Sequence, residues 1–124
     1  MGSKKRVLLA EDEKSLSKAM ELKLNHAGFE VVAVANGEEV LSALKSGKFN
    51  IIVMDLIMPK MDGFATLQAL KDQGNTTPII VTSNLGQEED IKRAKSLGAI
   101  EYLVKSNTPI AQIVQQVEKI LETK

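Results

Sequence analysis

Residues 51–63 read Ile51-Ile52-Val53-Met54-Asp55-Leu56-Ile57-Met58-Pro59-Lys60-Met61-Asp62-Gly63. The four apolar residues that open this stretch have the length and type of a buried strand. Pro59 and Asp62-Gly63 then read as a turn. A carboxylate, Asp55, is thus delivered to the end of a core strand, where open α/β sheets place their binding crevices. Taken alone, a strand-end aspartate is more often a turn or cap residue. The same arrangement recurs upstream, however, where Glu11 and Asp12 follow Arg6-Val7-Leu8-Leu9-Ala10. Two acidic strand ends in one small domain point to a divalent metal and a phosphate.

Working outward, two periodicities alternate along the chain. Short β-rich runs lie at residues 6–10, 29–34, 50–54, 78–82 and 100–104. Between them the spacing is helical. Residues 15–27 place Leu16, Ala19, Met20, Leu24 and Ala27 on one face, and Gly28 stands where a helix-terminating glycine belongs. Residues 38–46 carry Val40, Leu41 and Leu44, closed by Gly47. Residues 64–72 carry Phe64, Leu67 and Leu70, and residues 87–96 carry Ile91, Ala94 and Lys95, closed by Gly98. Residues 109–122 align Ile110, Ile113, Val114, Val117 and Leu121, with Thr108 as the expected N-cap and Pro109 at the first helical position. The fold class is therefore α/β: a doubly wound parallel sheet of five strands, (βα)5, flavodoxin-like. Of the two common doubly wound orders, five strands suit 2-1-3-4-5. That order makes the first and third strands neighbours, so Glu11, Asp12 and Asp55 converge at the carboxyl edge, joined by Thr82 from the fourth strand and Lys105 after the fifth.

Composition bounds the function. The chain has 124 residues, the size of one domain, with residues 1–5 expected to form a flexible N-terminal extension. Its 16 basic and 16 acidic residues balance. The one basic run, Lys4-Lys5-Arg6, reads as a solvated terminus, and few aromatics are present for stacking on bases, so no direct nucleic-acid contact is expected. Absence of cysteine excludes disulfides, thiolate catalysis and cysteine zinc sites. No apolar stretch approaches the roughly 18 residues of a membrane span, and no signal-peptide core precedes Glu11, so a cytoplasmic, non-inserted protein is expected. The one histidine, His26, reads as a surface residue near a helix C-terminus. Met54, Met58 and Met61 read as packing.

The acidic edge has its own chemistry. Carboxylates about 4 Å apart repel by about 4 kcal/mol per pair at an effective dielectric near 20. Such a cluster needs a cation or raised pKa values. Oxygen ligands without histidine or thiolate favour a hard ion, Mg²⁺ or its substitute Mn²⁺. An aspartate can act as a nucleophile toward phosphorus, and phosphoryl transfer requires mainly positioning and charge neutralisation. Lys105 and the Thr82 hydroxyl would help supply both.

Four separated stretches, each at a strand end, resemble the receiver domain of two-component response regulators, in its stand-alone, chemotaxis-regulator-like form. They are Leu8-Leu9-Ala10-Glu11-Asp12-Glu13, Met54 to Gly63, Ile79-Ile80-Val81-Thr82-Ser83 and Tyr102-Leu103-Val104-Lys105. The resemblance covers essentially the whole chain and carries the 2-1-3-4-5 order with it, so that order is no independent expectation. It implies that Asp55 is the phosphoacceptor, that Asp12 binds Mg²⁺ directly, that Glu11 acts through water, and that the Ile57 backbone carbonyl completes the metal site. It further implies that Thr82 is the switch hydroxyl, Tyr102 the switch aromatic and Lys105 the phosphate-binding lysine. Small Ser83 is expected to leave the donor's approach open. Ile57 and Asn84 are expected to tune the dephosphorylation rate.

The implied partners are a histidine kinase or histidine phosphotransfer protein and a downstream protein at the face of the fourth helix, fifth strand and fifth helix. The implied activity is a phosphorylation-activated switch, not a turnover enzyme. Two departures from the family pattern stand out: Ser106 where proline commonly follows the lysine, and Glu11 where aspartate is common. About 20 residues follow Lys105, read as a last helix without an output domain. Two other readings are open to this sequence: a Mg²⁺-dependent phosphohydrolase with an aspartyl nucleophile, and a degenerate receiver serving as a docking module.

Overall fold

In the computed structural model, which describes residues 4–122, every apolar run forms a strand and every 3.6-residue pattern a helix. The order is β1 (Arg6–Ala10), α1 (Lys14–His26), β2 (Glu30–Val34), α2 (Gly37–Ser46), β3 (Ile51–Met54), α3 (Gly63–Asp72), β4 (Ile79–Ser83), α4 (Glu88–Ser96), β5 (Glu101–Val104), a 3-10 turn at Lys105–Asn107, and α5 (Ile110–Glu122). All neighbouring strands are parallel, in the expected order β2-β1-β3-β4-β5. Parallel strands need crossover helices, and these cover both faces.

Alternation along the strands splits the core into two layers. Leu8, Ala10, Ile52, Met54 and Val81 pack with Val40 of α2, Leu67 and Leu70 of α3 and Ala94 of α4. Val7, Leu9, Ile51, Val53 and Ile80 pack with Met20 and Leu24 of α1 and Ile113, Val117 and Leu121 of α5. Central strands feed both layers, which is why β3 and β4 are buried at every residue while edge strand β2 is not. Truncating a large residue in such a layer typically costs about 2–5 kcal/mol.

Several local expectations change. Lys95 is exposed, and half-buried Leu97 packs in its place, because the α4 stripe rotates past Ala94. Thr108 does not cap α5: its hydroxyl donates back to the Val104 carbonyl at 2.8 Å, and Pro109 supplies the carbonyl that accepts from Ile113. Gly28 and Gly98 hold left-handed backbone (φ 100° and 114°), as helix-ending glycines do, whereas Gly47 is extended. Arg6 is no solvated terminal charge. It pairs with Glu30 at 3.2 Å, donates to the Lys48 carbonyl and stacks 4.5 Å from the Phe49 ring centre. The Lys5 carbonyl accepts from the Glu30 amide, so the sheet already holds the end of the expected extension; residues 1–3 lie outside the described residues.

α4 is attached differently from the other helices. It buries only Ala94 fully, and its ends carry Glu88, Glu89 and Asp90 in the first turn and Arg93 and Lys95 in the last, which complements the helix dipole. Two polar links tie it to α3: the Arg93 guanidinium lies 4.1 Å from the Phe64 ring centre, and Lys71 donates to the Ser96 carbonyl at 3.0 Å.

Candidate functional site

Sheet register decides what meets at the carboxyl edge. Ala10 pairs with Met54, and Met54 with Val81. Glu11, Asp55 and Thr82 therefore leave three adjacent strands at one level. The ladder runs one residue beyond the strands, since the Asp55 amide donates to Ala10 and the Glu11 amide to Val34, each at 3.0 Å. Ser83 pairs with Val104, which sets Lys105 just past the same edge.

One carboxylate oxygen from each of Glu11, Asp12 and Asp55 lies within 4.8 Å of the others. Glu11 and Asp55 are buried, while Asp12 is open to solvent. Asp55 Oδ1 accepts from the Leu56 amide at 2.7 Å and, more weakly, from the Ile57 amide at 3.4 Å. Its Oδ2 accepts from Lys105 Nζ at 2.9 Å. The whole carboxylate is thereby oriented. Glu11 Oε2 accepts from the Glu13 amide at 3.1 Å, and Oε1 lies 2.5 Å from Lys105 Nζ. Lys105 thus bridges Glu11 and Asp55.

Burial pushes the Glu11 carboxyl above the usual carboxylate range, as does the charge of Asp55; Lys105 and the Glu13 amide oppose this without cancelling it. Burial works against the Lys105 ammonium, but its contacts with Glu11 and Asp55 outweigh that and hold its pKa above the usual lysine value. With every group ionised, three carboxylates against one ammonium leave two surplus negative charges. This oxygen-only donor set, with surplus negative charge and one member open to solvent, fits a hard divalent cation such as Mg²⁺.

The other expected residues divide. Thr82 is buried at the same level as Asp55, and its hydroxyl makes no hydrogen bond among the described residues. Ser83 is fully buried and accepts from the Leu85 amide at 3.2 Å, a contact that holds the β4–α4 loop. Asn84 is exposed. Tyr102 belongs to the layer under α2, α3 and α4, and its hydroxyl donates to the Leu85 carbonyl, not to Thr82. Burial raises the Tyr102 pKa; Ser83 lowers it, and the charges of Asp90 and Asp55 raise it further. Ile57 is 59% exposed, with its amide near Asp55 Oδ1. No peptide bond is cis among the described residues, including the one before Ser106. Leu85, whose backbone joins Ser83 to Tyr102, gave no sequence signal, because any residue can serve through its amide and carbonyl.

A family model described as the response regulator receiver domain matches residues 7–118, nearly the whole chain. The chain belongs to that family. Among curated relatives, the receiver is similar to a probable transcriptional regulator ycf27 of Porphyridium aerugineum (34% identity over 122 residues, 94% of this chain and 50% of the relative). It is also similar to the alkaline phosphatase synthesis transcriptional regulatory protein PhoP of Bacillus subtilis (30% over 105 residues, 85% and 44%). The receiver spans about half the length of these relatives. Among solved structures, it resembles the receiver domain of the Francisella response regulator 1452 (TM-score 0.91, 28% identity, 97% and 99% of the two chains). It also resembles the chemotaxis response regulator CheY4 of Vibrio cholerae (TM-score 0.86, 28% identity, 95% and 99%).

Response regulators take a phosphoryl group from histidine kinases and act on downstream targets through a phosphorylation switch. Their receivers bind Mg²⁺ through acidic residues and are generally not turnover enzymes. Because the relatives bear the names of transcriptional regulators, the expected lack of nucleic-acid contact finds no support in them. None of the described helices is long and apolar enough to cross a membrane.

Proposed function

We propose that this receiver accepts a phosphoryl group on Asp55 from a phosphohistidine protein, with a divalent cation held by Asp12, Asp55, the Ile57 carbonyl and, through water, Glu11. The observation that carries this reading is the oriented Asp55 carboxylate, one oxygen fixed by backbone amides and the other facing Lys105, inside an acidic cluster with surplus negative charge. A bound Mg²⁺ would neutralise charge on the phosphoryl oxygens. Asp55 forms the new oxygen–phosphorus bond as the phosphorus–nitrogen bond of the donor breaks and its electron pair returns to the imidazole. Lys105 then turns from the Asp55 carboxylate to the phosphoryl oxygens. The unpaired Thr82 hydroxyl gains an acceptor, and its movement is read by Tyr102 and the β4–α4 loop. Response appears on the face of α4, β5 and α5, where a downstream partner binds.

The domain reading, one receiver over residues 1–124, remains part of this proposal, as does a cytoplasmic location. The phosphohydrolase reading has no supporting observation, and the intact cluster speaks against a degenerate docking module. Intact mass after treatment with a small phosphodonor and Mg²⁺ tests the proposal. One added phosphate, labile to hydroxylamine and missing in Asp55→Ala, is the expected result. No adduct in the wild type, or an adduct that persists in Asp55→Ala, would overturn it.

A further inference from the structure

The loop from Asp55 to Gly63 carries an uncommon backbone conformation. Lys60 has φ 64°, in the left-handed region that a non-glycine residue seldom occupies. Such a conformation persists only where the surroundings over-determine it. Three contacts do so here. The Met61 amide donates to the Pro59 carbonyl at 2.6 Å, the Gly63 amide to the Leu56 carbonyl at 2.7 Å, and the Gly37 amide, from the first turn of α2, to the Met61 carbonyl at 2.9 Å. The last contact joins the loop to a separate element, 24 residues earlier in the chain (61 − 37).

Gly37 is itself held rigidly. Asn36, buried, caps α2 by accepting from the Glu39 amide at 3.0 Å, and the Glu39 carboxylate accepts from the amide of Ala35, just before the cap, at 2.7 Å; together these fix the start of α2. The helix thus presents one of its free first-turn amides to the loop. A glycine is required for the approach. A β-carbon at Gly37 would lie 1.9 Å from Thr66 Oγ1, 2.8 Å from the Met61 carbonyl oxygen and 2.9 Å from Met61 Cγ. On the other side, a β-carbon at Gly63 would lie 2.5 Å from the Asp55 carbonyl oxygen. The loop is therefore clasped between α2 and the end of β3, and it contains Ile57.

We propose that Gly37 is a positioning residue of the phosphoacceptor site: its amide and its missing side chain clasp Met61, fix the left-handed turn at Lys60, and thereby hold the Leu56–Ile57 backbone in the shape that binds a divalent cation beside Asp55. This rests on the functional reading above, that Asp55 and the Ile57 carbonyl take part in metal binding. Gly37 touches neither the cation nor the phosphoryl group and acts through the loop.

The test compares wild type, Thr66→Ala and Gly37→Ala/Thr66→Ala by Mg²⁺ titration, read from the NMR shifts of the Leu56 and Ile57 amides. Thr66→Ala removes the atom that the new β-carbon would strike hardest, so the remaining clash falls on Met61. Thr66→Ala is expected to bind Mg²⁺ within about twofold of wild type. The double variant, still unfolding cooperatively, is expected to bind at least about tenfold more weakly, the lower range for losing a group that orients metal ligands. A folded double variant that matches Thr66→Ala would overturn the clasp while leaving the phosphoacceptor reading intact. Wild type that fails to bind Mg²⁺ would overturn both.

A second measurement needs no variant. Coupling is reciprocal, so if the clasp favours cation binding, the cation must tighten the clasp. Saturating Mg²⁺ is expected to slow hydrogen exchange of the Gly37 amide in wild type more than that of the Val40 amide in the same helix. Equal slowing of the two would overturn the proposal even if the double variant does not fold.

Discussion

The two halves of the sheet's carboxyl edge are built on different terms. At β1 and β3 the functional groups are carboxylates, and backbone amides fix them: Leu56 for Asp55 and Glu13 for Glu11. At β4 and β5, apart from the Lys105 ammonium, the groups are hydroxyls, and their anchorage is a loop: Ser83 and Tyr102 both fasten on Leu85, while among the described residues the Thr82 hydroxyl makes no hydrogen bond. The helices differ too, by face of the sheet: α1 and α5 each bury at least two apolar residues in one layer, whereas α4, beside β5 on the other, buries only Ala94 and is tied to α3 by Arg93 and Lys71. One half is oriented directly by backbone amides; the other is tied through a single loop.

The largest effect should come from breaking the first half. Asp12→Ala should weaken Mg²⁺ binding beyond the roughly 10–100-fold typical of losing an indirect partner, while Glu11→Ala should stay within that range. Mg²⁺ titrations of the two variants check this, and equal, near-wild-type affinities would erase the division of labour between the two acids. The second half is next. Thr82→Ala removes a hydrogen bond to the phosphoryl group of the kind that contributes about 1.5–3 kcal/mol. Asp55 should still accept phosphate, but NMR shifts near Tyr102 should no longer follow. A wild-type response in that variant would merge the two halves into one.

Smaller changes sharpen the contrast. Ile57, whose amide lies near Asp55 Oδ1, is exposed, and its apolar side chain can offer an attacking water no hydrogen bond. Ile57→Asn should hasten loss of the phosphoryl group by about tenfold, or about 1.4 kcal/mol of barrier; phosphoprotein decay after donor removal measures it, and unchanged decay would assign that control elsewhere.

The smallest effect concerns the cost of preorganisation. Glu11 has a pKa above the usual value, so its folded form favours the proton more than the unfolded chain does. Stability from this group is present below the unfolded carboxylate pKa and is lost as pH rises through the folded value. Without divalent cations, Glu11→Gln should melt a few degrees higher than wild type at neutral pH, and the gap should close in acid. A wild type that melts at or above the variant's temperature at neutral pH would show that the Lys105 pair outweighs burial.

Much of this was legible in the sequence, for stated reasons. Strand ends are marked because β1, β3 and β4 are buried on both faces and so appear as unbroken apolar runs ending in polar residues. The strand order that brings Glu11, Asp55 and Lys105 together came instead with the family resemblance of the four strand-end stretches. What escaped was carried by backbone. The Leu85 carbonyl and the Met61 carbonyl leave no trace in side-chain identity. Asn36-Gly37-Glu38-Glu39 did carry a signal, since asparagine with glutamate three residues on marks a helix N-terminus, but not the contact it makes with a loop elsewhere. Thr108 misled because its hydroxyl had a second acceptor within reach, the Val104 carbonyl.

The reach of Lys105 also sets an order in time. Its partners Asp55 and Glu11 lie 50 and 94 residues earlier in the chain (105 − 55 and 105 − 11). During synthesis the acids are made first and the ammonium far later, so the carboxylates wait without their internal cation until β5 docks at the sheet's edge. Closing the longer loop costs only roughly 0.6 kcal/mol more than the shorter. The acidic cluster is therefore a property of the closed sheet and of no single segment, and a partly made chain carries Glu11 and Asp55 without the lysine that pairs with both.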